Sequence, residues 1–75
     1  MNREADRAKF TELAEKRVNR AIKDIKLIGN LSNKGNYSYT EQDAKKIHLA
    51  LKKALEEMKA RFDSKGITEE QRFKL

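Results

Sequence analysis

The side chains that could carry out acid–base or metal chemistry are few in this 75-residue chain. His48 is the single histidine, and there is no cysteine to serve as a thiolate ligand or a nucleophile. Glu56 and Glu57 are adjacent in sequence, so on a helix their carboxylates diverge. No glycine-rich phosphate loop or nucleophile motif occurs. The sequence therefore predicts a non-enzymatic protein with no cofactor, and a hydrogen-bonded His48 at the edge of a helix face.

Positive charge is the main chemical feature of the chain. Between Lys16 and Lys53 there are ten basic residues and three acidic ones, a net charge of +7 in a chain whose total is +6. Such a block attracts phosphate backbones or acidic protein surfaces, although ordinary solubilising lysines are the alternative. The residues predicted to contact a partner or nucleic acid are Lys16, Arg20, Lys23, Lys26, Asn30, Asn33, Lys34, Tyr37, Lys45, Lys46, Lys52 and Lys53.

Two segments with helical periodicity position these residues. Apolar residues recur at spacings of three and four over residues 3–28 and 41–63, which predicts two helices, each with one buried stripe. The first stripe contains Phe10, Leu13, Ala14, Val18, Ala21, Ile22, Ile25 and Ile28. The second contains Ala44, Ile47, Leu51, Ala54, Leu55, Met58 and Phe62. Leu27 and Leu49 fall outside the stripes and are either scattered surface leucines or a second contact surface.

The connection over residues 29–40 combines signals for a helix end and a helix start. Gly29 can adopt the left-handed conformation that ends a helix, and Leu31 can fold back to seal the end of the core. Thr40 can cap the second helix, with Asp43 in the place where a capping box usually has Glu or Gln. Three asparagines and two tyrosines in this stretch favour an ordered loop.

Residues 64–75 are predicted to form a tail. Gly66 can end the second helix, and the pattern from Thr68 to Gln71 resembles a capping box. This pattern predicts either a short third helix over 69–74 or a frayed tail, because isolated short helices are marginal.

The predicted fold class is all-α: a single domain over 1–75, built as an antiparallel two-helix hairpin. Its core would be thin, so we expect self-association into a homo-oligomer or packing on a partner. No apolar run approaches the ~20 residues that span a bilayer, and the first residues lack an apolar signal region. We therefore expect a soluble cytoplasmic protein that does not bind membranes.

Three runs carry a resemblance to known proteins: Arg17-Val18-Asn19-Arg20-Ala21-Ile22, Ile28-Gly29-Asn30-Leu31-Ser32-Asn33, and Tyr37-Ser38-Tyr39-Thr40 followed by Ile47. Over residues 10–62 the chain resembles a family of short bacterial proteins associated with plasmids, phages and other mobile elements. No activity is attached to that family, so the resemblance implies no functional residues. It implies an accessory protein, such as a regulator or an inhibitor of host defence.

Two functions remain open from the sequence. The first is a non-enzymatic interaction module that docks on an acidic host protein or nucleoprotein through its basic loop end. The second is a nucleic-acid-binding accessory protein, in which the basic patch contacts phosphates and the tyrosines stack on bases. The loop is too long for a helix-turn-helix, and no DNA-recognition motif is present.

Overall fold

The structure, a computed structural model, describes residues 3–65 of the chain. These residues form an α-helix α1 over Arg3–Gly29, a 3-10 helix over Asn30–Ser32 and an α-helix α2 over Glu41–Asp63, with no strand in this range. The prediction of an all-helical chain with two α-helices is confirmed. The chain divides into two units between Ser38 and Tyr39, which are taken in turn below. The predicted third helix over 69–74 lies outside the described residues.

Helix α1 extends one residue beyond the predicted range of 3–28. Its ends suit the helix dipole, because Glu4 and Asp6 lie in the first turn and Lys26 lies in the last. No side chain of α1 is buried. The predicted stripe is nevertheless present as a continuous face, of which Leu13, Ala14 and Ile28 are the less exposed members.

Gly29 does not have the left-handed conformation expected from the sequence. Its φ of −58° and ψ of −31° are right-handed helical values, and the chain continues into the 3-10 helix that follows. This tighter turn ends when the Asn33 N–H donates to the Asn30 carbonyl at 3.4 Å. Leu31, in this 3-10 helix, is 46% exposed, and its role in sealing a core stays a prediction.

Asn33 organises the turn that follows the 3-10 helix. Its carbonyl accepts the N–H of Asn36 at 3.1 Å and that of Tyr37 at 2.9 Å. Its side-chain Oδ1 accepts the N–H of Gly35 at 2.9 Å, which is an Asx-type bond. Three successive amides therefore bond to one residue, and the backbone over 33–37 has a defined conformation.

A complete capping box begins α2. Thr40 Oγ1 accepts the Asp43 N–H at 3.1 Å, and Asp43 Oδ2 accepts the Thr40 N–H at 2.9 Å. Aspartate thus does what a Glu or Gln usually does at this position. The cap also places two carboxylates, those of Glu41 and Asp43, in the first turn, where the dipole favours them.

Helix α2 ends at Asp63, the last residue of the predicted range of 41–63. The Ser64 N–H donates to the Ala60 carbonyl at 3.0 Å, and the Lys65 N–H donates to the Phe62 carbonyl at 2.9 Å. Lys65 has a φ of 58°, so a lysine takes the left-handed position that glycine favours. Gly66 itself lies outside the described residues.

The apolar stripe of α2 is exposed as well. Leu55, Met58 and Phe62 are all exposed, and no side chain of this helix is buried. A helix buries a stripe only when it packs against another element. Both stripes are therefore exposed in the described residues, and their burial in an antiparallel hairpin stays a prediction.

Candidate interaction surface

Three predicted binding residues of α1 share one face. Lys16, Arg20 and Lys23 are spaced by four and three residues, which brings their side chains to the same side of the helix. All three are exposed. The face that they define is turned away from the stripe, on which Val18 and Ile25 lie. The middle of this basic face lies about 145° around α1 from the middle of the stripe, and Arg20 lies nearest to the stripe, about 20° from Leu13.

Lys26 stands at the margin of that face. It lies about 60° around the helix from Lys23, at 100° per residue. It is also the basic residue of the last turn of α1, where a positive charge interacts favourably with the helix dipole. Lys26 thus has a structural role that is sufficient to explain its presence.

Some loop residues form the hydrogen bonds that fix the backbone of the turn, and others have side chains that are exposed on it. The Asn33 side chain fixes the backbone through its bond to the Gly35 N–H, whereas the bond described for Asn30 uses only its backbone carbonyl. Lys34 occupies the corner of the turn between Asn33 and Gly35 and is exposed. Tyr37 leaves the turn with 49% of its surface exposed, which suits an amphipathic side chain at an interface.

Four lysines of α2 surround one leucine. Lys45 and Lys46 precede Leu49 by four and three residues, and Lys52 and Lys53 follow it by three and four. These are the positions that neighbour a residue on a helix surface. Leu49 is 62% exposed and lies nearly opposite the apolar stripe of α2. We call these five residues the lysine-framed patch.

Four carboxylates lie within four residues of the patch lysines, those of Glu41, Asp43, Glu56 and Glu57. None forms an ion pair with these lysines inside the described range of 3–65. The ion pair of α2 instead joins Lys59 Nζ to Asp63 Oδ2 at 3.0 Å, beyond the patch. The four lysines of the patch together carry a formal charge of +4.

The charge on α1 is also left unpaired. Arg20 and Asp24 have the spacing of an i,i+4 pair, yet neither takes part in an ion pair within residues 3–65. Exposed pairs of this kind contribute little stability, on the order of 0.3–0.5 kcal/mol. A partner could therefore compete for Arg20 at little cost.

His48 is exposed and does not form the hydrogen bond that the sequence suggested. No hydrogen bond of its side chain occurs within the described residues. Over the same range, no group of three or more His, Cys, Asp or Glu side chains is placed to hold a metal ion. His48 lies next to the stripe residue Leu51, three residues further along the helix, and within the described residues no polar partner orients its ring.

A second surface follows the C-terminal end of the α2 stripe. It is an open, mainly apolar depression of about 570 Å³. Its lining residues are Ala54, Glu57, Met58, Arg61, Phe62 and Lys65. The depression is suited to an apolar side chain of another helix, and it belongs to the stripe and not to the basic block.

The structure groups the twelve predicted residues into three sets. One is the face of Lys16, Arg20 and Lys23, with Lys26 at its margin. The second is the turn that contains Asn30, Asn33, Lys34 and Tyr37. The third is formed by Lys45, Lys46, Lys52 and Lys53. Sequence reasoning singled out both these lysines and Leu49 but missed their relationship, although the spacings of three and four around Leu49 could have revealed it.

Comparison of the chain with protein-family models, curated proteins and solved structures found no match. Neither helix in the described part of the chain is long and apolar enough to cross a bilayer.

Proposed function

We propose that this chain is a small, non-enzymatic interaction module that docks on an acidic surface of a host protein or nucleoprotein. The resemblance over residues 10–62 suggests a regulator or inhibitor carried by a mobile element in the bacterial cytoplasm. The basic residues of the loop-proximal halves of both helices, together with the turn, form the docking surface.

One observation carries this proposal. The predicted binding residues on helix faces away from the apolar stripes are exposed and form no ion pair within the described residues. They are Lys16, Arg20 and Lys23 of α1 and Lys45, Lys46, Lys52 and Lys53 of α2. If these lysines only kept the protein in solution, we would expect acidic residues to be interspersed among them. Here ten basic residues meet three acids between Lys16 and Lys53, and the turn between the helices is held by specific hydrogen bonds.

The exposed stripes support a second element of the proposal. The two helices fold against each other as an antiparallel hairpin, and hairpins associate into a homo-oligomer. Val18 and Ile25 of the α1 stripe are exposed, as are Leu55 and Phe62 of the α2 stripe. Removing such apolar surface from water stabilises the protein by about 25 cal/mol per Å². Small chains without disulfides commonly use association to obtain a sufficient core.

Direct nucleic-acid binding is the alternative, and Tyr37 favours it. A half-exposed tyrosine beside Lys34 in a basic turn can stack on a base while lysines contact phosphates. Binding to short duplex and single-stranded DNA, measured by fluorescence anisotropy over a range of salt, separates the two functions. Nucleic-acid binding predicts an affinity that falls steeply with salt. Absence of binding even at low salt would exclude nucleic-acid binding and leave the docking proposal.

The docking proposal itself is tested by photo-cross-linking in host extract. A photoreactive amino acid at Ser38, which is exposed, should give a discrete protein adduct. The adduct should disappear in the double variant Lys34→Glu, Lys45→Glu. It should persist in the control Arg3→Glu, Lys9→Glu, which changes the net charge equally outside the basic block. Equal adduct yields in the two variants would contradict docking through the basic residues.

A further inference from the structure

We infer that the lysine-framed patch of α2 is an anchor site for an acidic helix of a partner protein. The occupant has one apolar side chain that packs on Leu49 and carboxylates that meet Lys45, Lys46, Lys52 and Lys53. This inference rests on the proposed function and names the chemistry of the partner. It needs no knowledge of what covers the apolar stripes.

The first step is the position of Leu49. It lies close to 170° around α2 from the middle of the stripe, at 100° per residue. Packing of the stripe in a hairpin or an oligomer therefore leaves Leu49 on the outside. With 62% of its surface exposed, it is an apolar side chain placed where intramolecular packing gives no reason for one. A single exposed leucine is ordinary, so the case depends on its neighbours.

Those neighbours give the site its shape. The four lysines lie on both sides of Leu49, within about 6 Å of it along the helix axis at 1.5 Å per residue. Lysine stems are apolar and commonly lie along apolar surface while the ammonium group stays in water. The stems therefore extend the apolar platform around Leu49, and the four ammonium groups form a polar rim. An apolar centre with a polar, solvent-accessible rim is the general arrangement of a protein–protein interface.

Charge complementarity identifies the occupant. The rim carries four unpaired positive charges within the described residues, so the matching surface carries carboxylates at similar spacing. A helix with acidic residues three and four positions on either side of one apolar residue has that spacing. The phosphates of nucleic acid could pair with the four lysines. They would make no apolar contact with the central leucine, because phosphate contacts are electrostatic.

The test uses the full chain and a synthetic helical peptide as the probe. The peptide carries one leucine with glutamates three and four residues away on both sides, and a matched peptide has glutamine in place of that leucine. Binding is followed by amide chemical shifts of the ¹⁵N-labelled protein. A short DNA duplex is titrated in parallel.

We expect shifts centred on residues 45–53. Leu49→Ala should weaken binding of the leucine peptide about fivefold to tenfold, as for loss of a buried apolar anchor. The same variant should leave binding of the glutamine peptide and of DNA unchanged. Alanine favours helix, so Leu49→Ala keeps α2 folded. Leu27→Ala is the matched control, since Leu27 is a similarly exposed leucine without a lysine frame, and it should bind the peptide as the parent does.

Three results would overturn the inference. They are equal affinity for the leucine and glutamine peptides, unchanged peptide binding by Leu49→Ala, or DNA that binds the patch more tightly than the leucine peptide at the same salt. These readouts are separate from the Ser38 cross-link. An adduct that depends on Lys34 and Lys45 but tolerates Leu49→Ala would leave the docking function standing and remove only the anchor.

Discussion

Thr40 and Asp43 bond to each other twice at the start of α2: the Thr40 hydroxyl accepts the Asp43 amide at 3.1 Å, and the Asp43 carboxylate accepts the Thr40 amide at 2.9 Å. Both bonds use donors that a helix start would otherwise leave without an intrahelical partner. The pair fixes where α2 begins. Each later side chain of α2, including Leu49 and the four lysines around it, follows from that start at 100° per residue.

Removal of the threonine hydroxyl should weaken α2. Thr40→Ala is expected to cost about 1 kcal/mol of stability, as is typical for loss of a cap. Helical circular dichroism and the midpoint of thermal unfolding measure the effect. Thr40→Ser keeps an acceptor and should retain most of the stability. If Thr40→Ala and Thr40→Ser melt at the same temperature, the hydroxyl bond does not stabilise the helix.

Gly29 and Gly35 should respond to alanine in opposite ways. Gly29 has helical dihedral angles, and a Cβ there would meet nothing within 4 Å, so Gly29→Ala should stabilise by about 0.5–1 kcal/mol. A Cβ on Gly35 would lie 3.1 Å from Asn33 Oδ1, which crowds the acceptor of the Gly35 N–H. Gly35→Ala should therefore lower the unfolding midpoint, and two shifts of the same sign would show that this account of the turn is wrong.

Lys65 offers a test of the helix end. Its φ of 58° is costly for a side chain with a Cβ, whereas glycine adopts it freely. Lys65→Gly should raise the free energy of unfolding by about 1 kcal/mol. Lys59→Gly, inside α2, removes the same charge together with the exposed Lys59–Asp63 ion pair, and should lower the free energy of unfolding by about 1 kcal/mol, mostly through the loss of helix propensity. Denaturant titration of the two variants provides the comparison, and destabilisation by Lys65→Gly would contradict the left-handed end.

Self-association should depend on the stripes and not on the basic faces. Ile22→Asp and Leu51→Asp each place a charge in a stripe, and burial of an unpaired charge is strongly unfavourable. Both variants should sediment as smaller species than the parent at the same concentration. Lys16→Asp, on the opposite face of α1, should leave the sedimentation coefficient unchanged. A parent that is a well-folded monomer across micromolar concentrations would refute the proposed oligomer.

The parts of the fold that depend on local sequence could be predicted. Apolar spacing indicated both helices, and Thr40 with Asp43 indicated where α2 starts, because a cap is a bond between residues three apart. Gly29 was misinterpreted because glycine permits a left-handed end without requiring one. The left-handed conformation of Lys65 could not be predicted, because a residue with a Cβ rarely adopts positive φ.

The candidate surface was predictable in composition but less so in arrangement. The basic residues were identified from their density between Lys16 and Lys53, while the frame around Leu49 appears only when i±3 and i±4 neighbours are read together. His48 was expected to have a hydrogen-bond partner, but sequence spacing does not determine which polar groups converge. What covers the stripes depends on tertiary contacts and could not be derived from periodicity.

The most direct test of the docking function is the rate at which the chain associates with the partner isolated through the Ser38 cross-link. Surface plasmon resonance at low salt should show about tenfold slower association for Lys34→Glu, Lys45→Glu than for the parent, because complementary charges accelerate encounter. The control Arg3→Glu, Lys9→Glu should associate at the parental rate, and circular dichroism should show unchanged helicity in both variants. Association of Lys34→Glu, Lys45→Glu at the parental rate would contradict the proposal that the basic surface recognises the partner.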